Sequence, residues 1–162
     1  MQSLTQNTTR QYSLYRSERM ESLDATQIGE VGEHFVASVL GGFGLEVFKT
    51  NGKGFDLLVM GDNPIRVDVK TKSSLEGQRI YNIKKGKKTN YRDFNPKVCD
   101  IFALVCLEDL SLSFHRSEDY AGKRSIYVNA NKHSATDPYE SWLSATDIKQ
   151  VKYWDDGSVW VI

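Results

Sequence analysis

Cysteine is nearly absent from this chain of 162 residues, with Cys99 and Cys106 the only two. Two thiols cannot build a disulfide framework, and neither stands at a zinc-like spacing from a histidine. With no leader-type segment in view, they fit a reducing cytoplasm, that of a bacterium, an archaeon or a phage-infected host. Long apolar runs are missing as well. No stretch approaches the roughly 18 uninterrupted apolar residues of a membrane span, so no membrane partner is expected. Proline is rare, at three residues, and repeats and low-complexity tracts do not occur. Net charge is lacking too, because 21 Lys and Arg balance 21 Asp and Glu. Affinity for a polyanion must then come from a local concentration of cations.

Such a concentration exists. Between Gln78 and Arg92 lie Arg79, Lys84, Lys85, Lys87, Lys88 and Arg92, with Tyr81 and Tyr91 interleaved and no acid among them. This is the pattern expected of phosphate contacts with DNA, and Lys72 extends it upstream. The plain alternative is a solvated loop at the tip of a long hairpin over 76–94, since Gly86 and its polar flanks read as a loop.

The most informative stretch is Ile65-Arg66-Val67-Asp68-Val69-Lys70-Thr71-Lys72. It alternates strictly, so Ile65, Val67 and Val69 take one face of a strand and Arg66, Asp68, Lys70 and Lys72 the other. An acid and a base are thereby held side by side. The run Gly54-Phe55-Asp56-Leu57-Leu58-Val59-Met60 reads as a preceding buried strand, and Gly61-Asp62-Asn63-Pro64 as the turn between them. The expected antiparallel register sets Leu58 opposite Asp68 and Asp56 opposite Lys70, with opposed Cβ atoms roughly 5 Å apart. A slip of one residue would turn Asp56 to the wrong face.

Upstream, Asp24-Ala25-Thr26-Gln27 has the form of a helix N-cap with a polar partner three residues on. Ile28, Val31, Phe35, Val36, Val39 and Leu40 follow at helical spacing, and Gly41-Gly42 ends the run. On a wheel of about 100° per residue, Glu33 borders the apolar stripe and Glu30 points away into solvent.

In order, a helix acid, a strand acid and a strand Asp-x-Lys resemble the PD-(D/E)xK nuclease superfamily, which includes many restriction endonucleases, archaeal Holliday-junction resolvases and one family of intron homing endonucleases. The likeness rests on Gly29-Glu30-Val31-Gly32-Glu33, Gly54-Phe55-Asp56 and Val67-Asp68-Val69-Lys70, covers residues 24–72, and continues more weakly into Asp100-Ile101-Phe102-Ala103-Leu104-Val105. Phe55 stands where the superfamily name has Pro. The resemblance implies a Mg²⁺-dependent DNA endonuclease, with Mn²⁺ able to substitute, leaving 5′-phosphate and 3′-hydroxyl ends. By position, Asp56 and Asp68 would ligate the metal, Lys70 would orient or activate the attacking water, and Glu33 would support a second metal or position that water. Extra length around a minimal core leans toward a homing, phage or mobile-element enzyme. A junction resolvase acting as a homodimer or higher homo-oligomer is a second reading, and a non-catalytic DNA-binding module of the same fold a third.

Other features read more plainly. Asp147-Ile148-Lys149 repeats the triplet without a hairpin acid or helix acid before it, and is expected to be a solvated strand edge. His34 is expected at the surface, and His115 and His133 have no partnering pattern. Tyr139, Trp142, Tyr153, Trp154 and Trp160 are expected to close the far end of a core. Residues 1–23 form a polar arm, and 24–162 a single nuclease-like domain. One main helix, 25–40, with strands near 45–49, 54–60, 65–72, 100–107, 112–115, 125–128, 148–153 and 158–162, predicts an α+β or α/β fold. Its centre is a mixed sheet flanked by helices. A short helical turn is expected near Asp137-Pro138, and no clear apolar helix within 73–98.

Overall fold

The computed structural model describes residues 22–51, 54–74, 78–84 and 94–147, together with the backbone of two short strands further on. The polar arm lies almost wholly outside the described residues.

Helix α1 (Ala25–Gly42) begins as its cap chemistry requires. The Asp24 carboxylate accepts from the Gln27 N–H at 2.9 Å, and the Gln27 side chain accepts from the Asp24 N–H at 3.0 Å. These two bonds satisfy amides that the helix itself leaves unpaired. The chain then forms β1 (Val47–Lys49), β2 (Leu57–Val59) and β3 (Ile65–Lys72) as an antiparallel meander. After β4 (Gln78–Asn82) comes β5 (Ile101–Cys106), parallel to β3, and then β6 (Ser111–Arg116), antiparallel to β5. The result is one mixed five-stranded sheet in the order β1-β2-β3-β5-β6. All six residues of β5 are buried. A continuous apolar run such as Ile-Phe-Ala-Leu-Val-Cys suits a strand covered on both faces.

Several further elements cover that sheet. Strand β7 (Ser125–Asn129) pairs antiparallel with β4 as a separate two-stranded ribbon. Helix α2 (Ala130–Ser134) follows at once, and α3 (Pro138–Thr146) starts on an Asp137 cap with proline in its first turn. Strands β8 (Val151–Tyr153) and β9 (Val159–Val161) pair with each other. Helices α1 and α3 cover one sheet face, joining Val36, Leu40 and Trp142 to Leu57, Val67, Val69, Ala103 and Val105. The β4–β7 ribbon covers the other, joining Tyr81 and Ile126 to Phe102 and Leu104.

Three expectations need correction. The β2–β3 register is Leu57↔Val67, Leu58↔Arg66 and Val59↔Ile65, shifted by two residues from the expected pairing. A two-residue shift preserves the faces, because side chains alternate with period two. The segment 73–98, expected to hold no clear apolar helix, contains β4, and β4 pairs with the distant β7. The physical reason lies inward: Arg79 and Tyr81 are buried on the sheet side, so β4 is a core strand and not a solvated hairpin arm. Helix α2 went unforeseen, being a single turn capped by the Asn129 side chain, which accepts from the Lys132 N–H at 3.1 Å. No helix among the described residues is long and apolar enough to cross a membrane.

Candidate active site

Asp68 and Lys70 lie on the ribbon-facing side of β3, across from Phe102 and Leu104 of β5. The Asp68 side chain is only 2% exposed, and its Oδ1 stands 2.6 Å from Lys70 Nζ. Such a burial is tolerable because an opposite charge is in direct contact. Further back on the same face, Arg66 clamps Asp100 with Nε to Oδ2 at 3.0 Å and Nη2 to Oδ1 at 2.9 Å. That fork ties β3 to the start of β5.

Asp56 arrives from just before β2. Thr50 N–H donates to the Asp56 carbonyl at 2.8 Å, and the Asp56 N–H donates to the Val67 carbonyl at 2.9 Å. Its carboxylate turns toward β3, where Oδ2 accepts from the Val69 N–H at 2.8 Å. The regular pairing ends at Leu57↔Val67, and these bonds hold Asp56 against β3 beyond it. Burial raises the Asp56 carboxyl above its ordinary value; the Val69 amide opposes this, and the negative charges of Asp68 and Glu33 add to it. The acids are thus close enough to repel one another, and Lys70 relieves part of that repulsion.

Glu33 projects from α1 toward β1, with Oε2 3.0 Å from Lys49 Nζ. Its side chain is 20% exposed, while Glu30 is exposed, as the helical phase predicts. Lys49 is a member of the site that sequence reasoning missed. Its ammonium is held above its ordinary pKa first by the Glu33 hydrogen bond, with Glu30 and Asp56 contributing charge. The signal was slight: Lys49 ends a three-residue strand and belongs to no motif, and its place opposite Leu57 follows from pairing alone.

Glu33 and Lys49 thus pair on the α1 side of the sheet and Asp68 and Lys70 on the ribbon-facing side, and Asp56 is within reach of the charges of both pairs. Among the described residues, no three His, Cys, Asp or Glu side chains are grouped to hold one metal ion. Asp56 and Asp68 are the pair whose hard oxygens and mutual repulsion suit a divalent cation. Glu33 is turned to Lys49 instead.

The expected DNA-contacting residues separate. Lys72 is half-buried at the end of β3. Lys84 follows β4, with its N–H 3.2 Å from the Arg124 carbonyl. Lys85, Lys87, Lys88 and Arg92 lie outside the described residues. Arg79 is a correction: it is fully buried, with Nη2 2.8 Å from Asp109 Oδ2 and Nη1 2.8 Å from His133 Nδ1. In β4 it alternates with exposed neighbours, and its parity points it inward.

His34 is exposed, as expected, whereas His115 and His133 both have partners. His133 is fully buried, and its Nε2 meets the Leu104 carbonyl at 3.0 Å. A guanidinium only donates, so Nδ1 is the acceptor, Nε2 carries the proton and the ring is neutral. His115 lies between Ser113 Oγ at 2.8 Å and Tyr120 Oη at 3.1 Å. In the second triplet, Asp147 ends α3 in the left-handed conformation and pairs with Arg116, while Ile148 and Lys149 lie outside the described residues. Trp142 is buried edge-on against Phe114, Tyr139 is 47% exposed, and both cysteines are buried.

No known family matches this chain, and no curated protein does. A solved structure of a bacterial homing endonuclease is similar to it, with a TM-score of 0.50 at 17% identity over 65% of this chain and 75% of that one. At that identity the likeness is one of fold, a mixed sheet flanked by helices.

Proposed function

We propose that this chain is a Mg²⁺-dependent DNA endonuclease of the PD-(D/E)xK kind, acting as a homing or mobile-element enzyme. The observation that supports the reading is the Asp56 carboxylate bonded to the Val69 amide, between Asp68 and its ion-pair partner Lys70 in β3. The fold likeness to a homing endonuclease supports it. Asp56 and Asp68 would hold Mg²⁺, or Mn²⁺ in its place, since a pair of carboxylates completed by water and substrate phosphate is a usual set for this ion. When bound, the ion neutralises charge on the phosphate and makes water a better nucleophile.

The chain's own residues do the rest. Lys70 Nζ donates hydrogen bonds to the attacking water or a phosphate oxygen, so that charge developing there meets a fixed cation. Asp68 holds Lys70 in that position. Glu33 acts as the supporting acid, steadied by Lys49. In-line attack expels the 3′ oxygen and leaves a 5′-phosphate.

A non-catalytic DNA-binding module is the second reading. It draws on the way Glu33 and Asp68 already neutralise Lys49 and Lys70. Incubation with plasmid, linear duplex and four-way-junction DNA, with Mg²⁺ or Mn²⁺ against EDTA, separates the readings. Metal-dependent cutting of duplex supports the homing role. Cutting of junctions of unrelated sequence, with linear duplex spared, identifies a resolvase acting as a homodimer or higher homo-oligomer. No metal-dependent cutting of any substrate removes the enzyme and leaves the module.

A further inference from the structure

The β4–β7 ribbon has two faces, and only the inner one is accounted for by the core. Inward, Arg79, Tyr81 and Ile126 are buried. Arg79 is locked by Asp109 and His133, and the Tyr81 hydroxyl donates to the Val105 carbonyl at 3.0 Å. Outward, Gln78, Ile80 and Asn82 stand across from Asn129, Tyr127 and Ser125. Ile80 is 40% exposed and Tyr127 62%. This outer face carries amides, hydroxyls and two large apolar groups, and no charge.

Its Asn82–Ser125 end is basic. Lys84 leaves β4, and exposed Lys123 and Arg124 enter β7 at the same end. No Asp or Glu occurs over 77–92 or 120–136. A neutral hydrogen-bonding face rimmed by cations fits DNA: the cations meet phosphates and the neutral face meets base edges.

We propose that the outer face of the β4–β7 ribbon enters the major groove and reads the target sequence, chiefly through Gln78, Ile80, Asn82 and Tyr127. The proposal rests on the endonuclease reading for its partner. A two-stranded ribbon fits the major groove, which is about 8.5 Å deep. Stacked β layers are about 10 Å apart, so a ribbon at the groove floor leaves the backbone near the level of the sheet, where Asp56 and Asp68 wait. Alternate residues of a strand lie about 6.8 Å apart, or two base steps, so three of them span about four base pairs. Asn82 Oδ1 already accepts from Ser125 Oγ at 3.0 Å. Its amide N–H groups remain the donors to base acceptors, and Ile80 suits a thymine methyl. The buried ion pair beneath keeps the reading face rigid.

The test is enrichment of duplexes from a random-sequence library by the full-length protein in EDTA, so that binding is read without cutting. Wild type should enrich a motif. Gln78→Ala, Asn82→Ala and Tyr127→Ala should each relax it within one contiguous block of about four base pairs, by roughly tenfold in preference per position, with the salt slope unaltered. Asn82→Asp keeps the acceptor for Ser125 and should redirect one position toward cytosine, which a merely unfolded variant could not do. An unchanged motif in all variants overturns the proposal and leaves the nuclease intact. So does a variant that dissociates an oligomer while the motif stays, which would make the ribbon a subunit interface. Failure of wild type to retain any duplex overturns the proposal and the DNA-endonuclease reading together.

Discussion

The Asp56 carboxylate accepts a hydrogen bond from the backbone N–H of Val69 at 2.8 Å. Asp56 thus reaches across β3 and is oriented by main chain rather than by another side chain. An amide oxygen can also accept that bond, though more weakly than a carboxylate, so geometry and charge separate by mutation. Asp56→Asn should fold with a melting temperature near wild type and lose cutting. Asp56→Ala should lose cutting and also some stability, by about 1 kcal/mol for the unmade bond. DNA binding should persist in both, or tighten as repulsion of phosphate falls. Thermal melts beside a cleavage assay check this, and an Asn variant that cuts like wild type would remove Asp56 from the machinery.

Glu33 and Glu30 share helix α1, but only Glu33 touches Lys49. Glu33→Ala should therefore reduce the cleavage rate far more than Glu30→Ala. Lys49→Ala should fall between them, since it leaves Glu33 in place without its partner. Single-turnover rates at saturating metal are the readout, and a reversed order for the two glutamates would contradict the placement of Glu33.

Helix α1 crosses β3 closely at Gly32. A Cβ there would run into the Thr71 side chain, whereas a Cβ at Gly29 meets nothing within 4 Å. Gly32→Ala should cost about 1–3 kcal/mol through overpacking, and Gly29→Ala should gain several tenths or more from helix propensity, up to about 1 kcal/mol. Urea denaturation of the two variants tests the pair. Thr71→Gly should offset part of the Gly32→Ala loss.

Arg79 is a structural cation. Arg79→Ala removes the cation from Asp109 and the donor from His133 Nδ1 and leaves a cavity, which should destabilise by about 3 kcal/mol. Its effect on DNA affinity, measured where the protein is still folded, should be small beside that of the outward neighbours Gln78 and Asn82. Equal stability with a large loss of affinity would return Arg79 to the DNA surface.

Burial pushes the His115 imidazole down to about 4, and burial and Arg79 push His133 in the same direction. Above the unfolded value near 6.5, neither state binds the proton and neither ring affects stability. Between about 6.5 and 4 the unfolded chain takes up protons that the folded chain refuses, so stability falls with falling pH. For His115 alone the loss is about 3 kcal/mol at the acid end of that window. Urea midpoints from pH 7.5 to 4.5 should decline, and His115→Gln should flatten the decline.

Much of this was legible in residue order. The Asp24 cap and the 3.6-residue spacing placed α1, and strict alternation placed β3 and sorted Asp68 and Lys70 from Val67 and Val69. Phase alone ranked Glu33 above Glu30. What was hidden depended on distant partners. The β2–β3 register turned on how Thr50 and Val67 hold Asp56, which no local pattern encodes. Strand β4 pairs with residues some 45 positions later, so nothing nearby marked its partner or its burial, and the cation Arg79 read as surface because its partner Asp109 is distant in sequence. Lys49 entered the site only once β1 lay against β2. The run Lys85, Lys87, Lys88 and Arg92 lies outside the described residues.

The most direct measurement compares wild type and Asp68→Asn, purified side by side, on supercoiled and linear duplex DNA carrying an enriched target sequence. It is made with 10-fold steps of Mg²⁺ and with EDTA. Wild type should cut in Mg²⁺, fall silent in EDTA and leave ends that a ligase reseals without kinase treatment, as 5′-phosphate and 3′-hydroxyl termini require. Asp68→Asn should bind the same duplex and leave it whole. Equal cutting by both proteins, or cutting that survives EDTA, would contradict a metal-dependent site built on Asp56, Asp68 and Lys70.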